Sequence, residues 1–317
     1  MYADRLLTNV SLLCALLLCL VSASASAELE FQRYADDQGL QLNYRFSDHN
    51  GTPVELNVRT ERQSFIGTPT NFRPLSSARL QREVHRQLLD FAHQQGWHDI
   101  EIQRQGQSLQ VIAHQGPAEQ QRERINAIQA HQQEAMQQVL ARYYYASIQL
   151  HAGPDGYTPD HPRIAIESQA ALTPFSDAVA AHLEQTSARE TLQFLLRWLQ
   201  QIPYDDMSNR LQSPGAGFIT PTRLLYENHG DCDSKVTLLA ALFANLHPEV
   251  NSHIVYLPGH AVFAVELELE DGDISVPYAG QRLVVADPTG PAAMKVGEVA
   301  RHYRSALHSG AVTIKDF

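Results

Sequence analysis

The sequence predicts an α+β protein in two parts. A small α+β module and a helical connector occupy the N-terminal half, and the C-terminal domain packs a central helix on an antiparallel sheet. Three observations lead there. Apolar residues alternate in short stretches near both ends of the chain, as in Leu40, Leu42, Tyr44 and Phe46 and again in Phe263, Val265, Leu267 and Leu269. The run Val236 to Leu246 is apolar on nearly every side, which marks a helix buried all round. Between them Gly153-Pro154-Asp155-Gly156, Pro159 and Pro162 make a connector.

Composition bounds the function classes. The 317 residues are 44% hydrophobic and 19% charged, enough to bury a sizeable core and too apolar for wholesale disorder. A formal charge of -11 argues against a nonspecific nucleic-acid binder, which needs a cationic surface to neutralise phosphates. Met1 to Ala27 reads as an export signal: Arg5 in a short head, an apolar run Val10 to Val21, and small residues ending Ala25-Ser26-Ala27. An uncleaved anchor is the alternative, because Asp4 offsets Arg5. Lipidation is disfavoured, since neither Cys14 nor Cys19 follows a small residue. Cleavage leaves Cys232 as the one cysteine, so no internal disulfide supports the fold. No second apolar span follows, and the expected destination is the periplasm or the medium.

The expected divisions are 1–27 signal, 28–116 N-terminal module, 117–170 long helix and connector, and 171–317 C-terminal domain. In the module, Val54, Leu56 and Val58 form a second strand after the turn Asn50-Gly51-Thr52-Pro53. Ser76 or Ser77 caps a helix to about Gln95, carrying Leu80, Val84, Leu88 and Phe91 on one stripe. Two further strands flank Gln105-Gly106-Gln107. Pro117 opens a long Gln-rich helix ending at Tyr143-Tyr144-Tyr145. Two helices follow, from Pro174 to about Gln185 and from Ala188 to Ile202, then a turn-rich stretch and a short helix at Thr222 to Asn228.

The chemistry concentrates at Gly230-Asp231-Cys232-Asp233-Ser234-Lys235. Asp231 is a good N-cap, which puts Cys232 in the first helical turn. There free backbone N–H groups and the helix dipole favour a thiolate, and thiol pKa values of roughly 3.5–7.5 are known. Asp231 and Asp233 oppose this, so a cation is needed. Lys235 is expected to pair with Asp231 at i,i+4, with a charge beside the thiol as its alternative role. His260 is the better partner. It opens a strand on the face shared with Val262 and Ala264, and a second strand, Arg282 to Ala286, ends at Asp287. Paired as an antiparallel hairpin, these strands bring Asp287 beside His260. A thiolate, an imidazole and an orienting carboxylate are what nucleophilic acyl transfer requires.

These residues carry a resemblance. Gly230-Asp231-Cys232-Asp233-Ser234-Lys235 with its Leu/Ala helix, Gly259-His260-Ala261 opening a strand and Asp287-Pro288-Thr289 ending the next resemble the bacterial transglutaminase-like superfamily, relatives of papain-type cysteine peptidases. The similarity spans about Thr191 to Gly290, with Ile202-Pro203-Tyr204 and Thr220 to Leu225 resembling segments that precede the cysteine. It implies a papain-like domain with Cys232 as nucleophile, His260 as general base and acid, and Asp287 as the orienting carboxylate. It also implies an acyl-enzyme on a protein or peptide substrate, resolved by water (peptidase or amidase) or by an amine (transglutaminase), with hydrolysis the first expectation. The alternative is a catalytically silent relative serving as an envelope protein-binding module.

The oxyanion hole would use the Cys232 backbone N–H and a second donor left open among Trp198, Tyr204 and Asn228. Trp198 lies in an apolar helix, where core packing is the expectation. The histidines form no compact ligand set, and no dinucleotide or phosphate loop occurs, so no cofactor or metal is expected. Asp205-Asp206 and Asp271-Gly272-Asp273 read as solvated turns in preference to calcium ligands.

Overall fold

A computed structural model describes residues 29–37, 39–69, 72–105, 108–151, 155–183, 186–207 and 217–317. The expected export signal, Cys14 and Cys19 lie outside the described residues. The architecture is mixed, with helices and antiparallel sheets.

The first strands form a meander, β1 (Glu30–Asp36), β2 (Gly39–Ser47) and β3 (Pro53–Thr60). Their alternation is two-faced: Leu40, Leu42, Tyr44, Phe46, Val54, Leu56 and Val58 are buried and their neighbours face outward. The short α1 (Arg62–Ile66) follows. Helix α2 (Ser77–Gln94) starts at the Ser76 cap, whose hydroxyl accepts from the Arg79 N–H, and buries Leu80, Val84, Leu88 and Ala92. The hairpin of β4 (Ile100–Gln105) and β5 (Ser108–Ala113) and the long α3 (Ala118–Arg142) complete a cluster of their own with α2.

A second hairpin, β6 (Tyr145–Gln149) with β7 (Asp155–Pro159), leads into α4 (His161–Leu183). Here the sequence reading needs correction: Pro174 does not open the helix but lies inside it. The turns before it bury Ile164, Ala165, Ser168 and Leu172, and that burial outweighs the one hydrogen bond a proline forfeits. Helix α5 (Ala188–Gln201) begins with a Ser187–Glu190 capping box. The short α6 (Pro221–Glu227) precedes α7 (Cys232–Leu246).

Strands β8 (Ser252–Leu257), β9 (His260–Val265), β10 (Ser275–Tyr278), β11 (Gln281–Ala286) and the terminal β12 (Thr313–Asp316), which follows α8 (Arg304–Ser309), form one five-stranded antiparallel sheet in the order β10-β11-β9-β8-β12. Both faces are covered. Ala261, Phe263 and Val265 meet α7, while Val262 and Ala264 pack with Val285, Val299 and Leu307 on the other side. β9 stops at Val265, short of the expected Leu269, where the exposed glutamates begin. The expected turn region between the paired strands contains β10, which extends the sheet at its edge.

Helix α7 is buried from Ser234 through Phe243, against α4, α5 and α6 on one side and β8 and β9 on the other. The meander joins this same core, with Tyr44 and Phe46 packed on Trp198 of α5. Its polar ties also run to the C-terminal half: the Tyr44 hydroxyl donates to the Leu225 carbonyl, and Gln201 Nε2 donates to the Ser47 carbonyl at 2.9 Å.

Candidate active site

Cys232 is the first residue of α7. Asp231, in extended backbone, caps the helix by accepting from the Ser234 N–H at 3.2 Å. The approach to the cap is tightly built: Gly230 bridges in parallel to Tyr204, and a Cβ on it would lie 2.6 Å from Leu224 Cδ1. The backbone N–H groups of Ala261 and Asp233 lie close enough to the sulfur to favour its ionised form. Since Ala261 follows His260 directly, the thiol sits beside the start of β9.

His260 owes its place to a two-residue turn. Leu257 pairs with His260 around Pro258-Gly259, and Gly259 takes φ 69°, a conformation that favours glycine. β11 pairs antiparallel to β9 with Val285 opposite Ala264 and Ala286 opposite Phe263, so the chain leaving β11 returns to the start of β9. There His260 Nε2 lies 2.8 Å from Asp287 Oδ2, with the side chains only 10% and 4% exposed. Nδ1 is the ring nitrogen left free of the carboxylate. The structure thus brings His260 and Asp287 together, and it sets the residue after His260 beside the Cys232 thiol. Burial pushes the Asp287 carboxyl up, but the hydrogen bond and charge of His260 and the Thr289 N–H outweigh it and leave it below its ordinary value.

The thiol differs from the expectation. Burial, then the charges of Asp233 and Asp231, push Cys232 up to about 12, against the lowering effect of the two N–H groups. The first-turn position is as expected, but it is half-buried and flanked by carboxylates, which hold the resting group as a thiol. Desolvation here exceeds what the helix terminus contributes.

The two carboxyls are themselves raised, Asp231 by burial and the charge of Asp233, and Asp233 by burial, and they are hydrogen-bonded to each other. A proton shared between them relieves the repulsion of two adjacent, partly desolvated carboxylates. Behind them stands His161, the first residue of α4 and fully buried. Burial holds its ring down to about 3, so it is neutral: Nε2 donates to Asp233 Oδ2 at 3.1 Å and Nδ1 accepts from the Tyr256 hydroxyl at 2.7 Å.

Lys235 forms neither of the interactions expected for it. Its ammonium is fully buried and donates to the carbonyls of Ile202 and Thr289, at 2.6 Å each. An i,i+4 side-chain pair on the helix surface would leave the lysine at the water interface; tertiary packing puts this face of α7 in the core instead.

Of the residues considered as a second oxyanion donor, Trp198 sits in an aromatic cluster with Tyr44, Phe46 and Phe175, and its Nε1 finds no hydrogen-bond partner among the described residues. Packing is its evident role. Tyr204 is half-exposed and near enough to Cys232 and Asp231 for their charges, after burial, to raise its phenol. Asn228 is the left-handed cap of α6, at φ 56°. Of the acidic turns, Asp273 is bound to Arg189 at 2.7 Å.

Sequence reasoning missed His161, Tyr256 and Tyr303. Tyr303, in a 3-10 turn at Arg301–Tyr303, stacks on the His260 ring with centroids 4.9 Å apart and planes 15° apart. His161 stands in a proline-rich connector that reads as loop, and no local pattern distinguishes either aromatic from a core residue. Comparison of the chain with protein-family models, curated proteins and solved structures finds no match.

Proposed function

We propose that the chain is an exported cysteine enzyme that acts on amide bonds of a protein or peptide through an acyl-enzyme, in the manner of the transglutaminase-like superfamily that its motifs resemble. The observation that carries the reading is the 2.8 Å contact between His260 Nε2 and Asp287 Oδ2, made at the strand end whose next residue, Ala261, lies beside the Cys232 thiol. The carboxylate fixes the imidazole so that Nδ1 is its free base.

Because the resting thiol is protonated, attack is coupled to proton transfer. Cys232 Sγ gives its proton to His260 Nδ1 as it bonds to the carbonyl carbon. The tetrahedral intermediate collapses by breaking the C–N bond, and the imidazolium returns the proton to the leaving amine. Water, or an amine, then attacks the thioester with His260 again as base. The N–H groups of the first turn of α7 supply the electrostatic side of the oxyanion site.

The experiment is acylation by a peptide nitrophenyl ester, followed by release of nitrophenol and by the intact mass of the chain. One acyl group on Cys232 is expected, with His260→Ala slowing its formation about 10²–10⁴-fold. A His260→Ala chain acylated at the wild-type rate sinks the enzyme reading. The raised thiol favours one second reading, a silent relative that binds an envelope protein; absence of acylation in the wild type would support it.

A further inference from the structure

Lysine is scarce in this chain: it occurs only at 235, 295 and 315. One of the three is fully buried in the central helix, one turn beyond the thiol. An ammonium in such a place is heavily penalised unless its donors are satisfied, and a methionine or leucine would suit the surrounding apolar helix better. Burial has pushed Lys235 down to about 7, a measure of that penalty. Its partners explain the choice of residue. Ile202 is the C-cap residue of α5, so its carbonyl lies at the C-terminal end of that helix. The Thr289 carbonyl belongs to the turn that begins at Asp287. A single side chain of the thiol-bearing helix therefore holds both α5 and the carboxylate turn.

Other contacts converge on the same turn. Gln200 Nε2 donates to the Asp287 carbonyl and to the Met294 carbonyl, at 2.9 Å each. Gly290 takes φ 67° and lies so close to α5 that a Cβ on it would stand 2.1 Å from the Gln200 carbonyl oxygen. The turn is thus pressed on the end of α5 and tied across it to α7.

We propose that Lys235 is a positioning residue, whose side-chain nitrogen clasps the Asp287 turn to the thiol helix and so sets the separation between Cys232 and the His260–Asp287 pair. This rests on the reading of Cys232 and His260 given above. Acyl transfer is sensitive to such spacing, a misplacement of about 1 Å costing up to about 10²-fold. An apolar residue at 235 would leave the Ile202 and Thr289 carbonyls without their donor and free the turn to drift.

The test uses the full chain and the Lys235→Met variant, with two readouts. The first is acylation of Cys232 by the peptide nitrophenyl ester, where a fall of about 10–10²-fold in kcat with little change in KM is expected. The second is the hydrogen-bonded imidazole proton of His260 in the NMR spectrum, identified by its loss in Asp287→Ala, which is expected to broaden or vanish in Lys235→Met. That signal does not depend on turnover, so it tests the clasp even where the wild type forms no acyl-enzyme. A folded Lys235→Met chain with wild-type kcat and an unchanged imidazole proton overturns the proposal. Should that variant not fold, nitrogen-15 lysine labelling of the wild type decides: a slowly exchanging Lys235 ammonium with through-space contacts to Ile202 and Thr289 supports the clasp, and exchange as fast as that of Lys295 overturns it.

Discussion

Tyr303 lies flat against His260, its ring plane within 15° of the imidazole at 4.9 Å between centroids. The stack covers one face of a ring whose edge is already held by Asp287, and it offers π density to the imidazolium that forms during acyl transfer. Replacing Tyr303 by alanine should slow acylation of Cys232 about tenfold, the scale of one such contact. Tyr303→Phe keeps the ring and should stay within about twofold. Equal rates for alanine and wild type would remove the stack from the account.

The carboxylates beside the thiol have a measurable sign. After burial, the charge of Asp233 is the largest influence raising Cys232. The double variant Asp231→Asn, Asp233→Asn deletes the charge the pair carries and keeps an oxygen to cap α7 and one to accept from His161. The thiol pKa should fall, so iodoacetamide should alkylate Cys232 about three- to tenfold faster near pH 8. A slower or unchanged rate contradicts this electrostatic picture.

His161 couples stability to pH. Its ring titrates near the ordinary 6.5 when the chain is unfolded but near 3 when buried. The unfolded chain therefore binds the extra proton first as pH falls. The stabilising contribution is complete above about 6.5 and is lost as pH falls from there toward 3, at up to about 1.4 kcal/mol per pH unit for one proton. His161→Gln should flatten the slope of unfolding free energy between about pH 5 and 6 by roughly that amount. Urea midpoints across this window measure it, and identical slopes in the two chains would refute the assignment.

Trp198 offers a test of exclusion. Its indole N–H is buried without a partner among described residues, and its rings pack on Tyr44, Phe46 and Phe175 in the core. Trp198→Phe should cost about 1–3 kcal/mol of stability by lost packing, while leaving the acylation rate within about twofold. A drop of 10² or more, about the loss on removing one oxyanion donor, would make the indole N–H a participant.

Two glycines near the site should differ for a physical reason. Gly259 and Gly290 share nearly the same φ, 69° and 67°, but a Cβ at Gly259 meets nothing within 4 Å, whereas one at Gly290 meets the Gln200 carbonyl oxygen at 2.1 Å. Gly259→Ala should cost about 1–2 kcal/mol from backbone conformation alone. Gly290→Ala should cost more, about 3–5 kcal/mol, and should also disturb the imidazole proton of His260. Unfolding midpoints that rank the two the other way would show that the α5 contact is not tight.

Much of this molecule is legible residue by residue. The Ser76 cap and Ser187–Glu190 box, the alternation in β2 and β3, the all-apolar α7 and the return of β11 to β9 each follow from a local rule of period, capping or pairing. Those rules also place Cys232 at a helix start and Asp287 next to His260. Pro174 was misread because its rule is local while its tolerance depends on what α4 packs against. What only the tertiary structure decided is how deeply each charged group is buried and what faces it there. The depth of the first turn of α7 turned an expected thiolate into a thiol, set His161 behind Asp233, and turned Lys235 from a surface partner of Asp231 into the tie between two segments far apart in sequence. Local pattern specifies backbone conformation over a few residues. Desolvation and long-range hydrogen bonding depend on segments that meet only when the chain is folded.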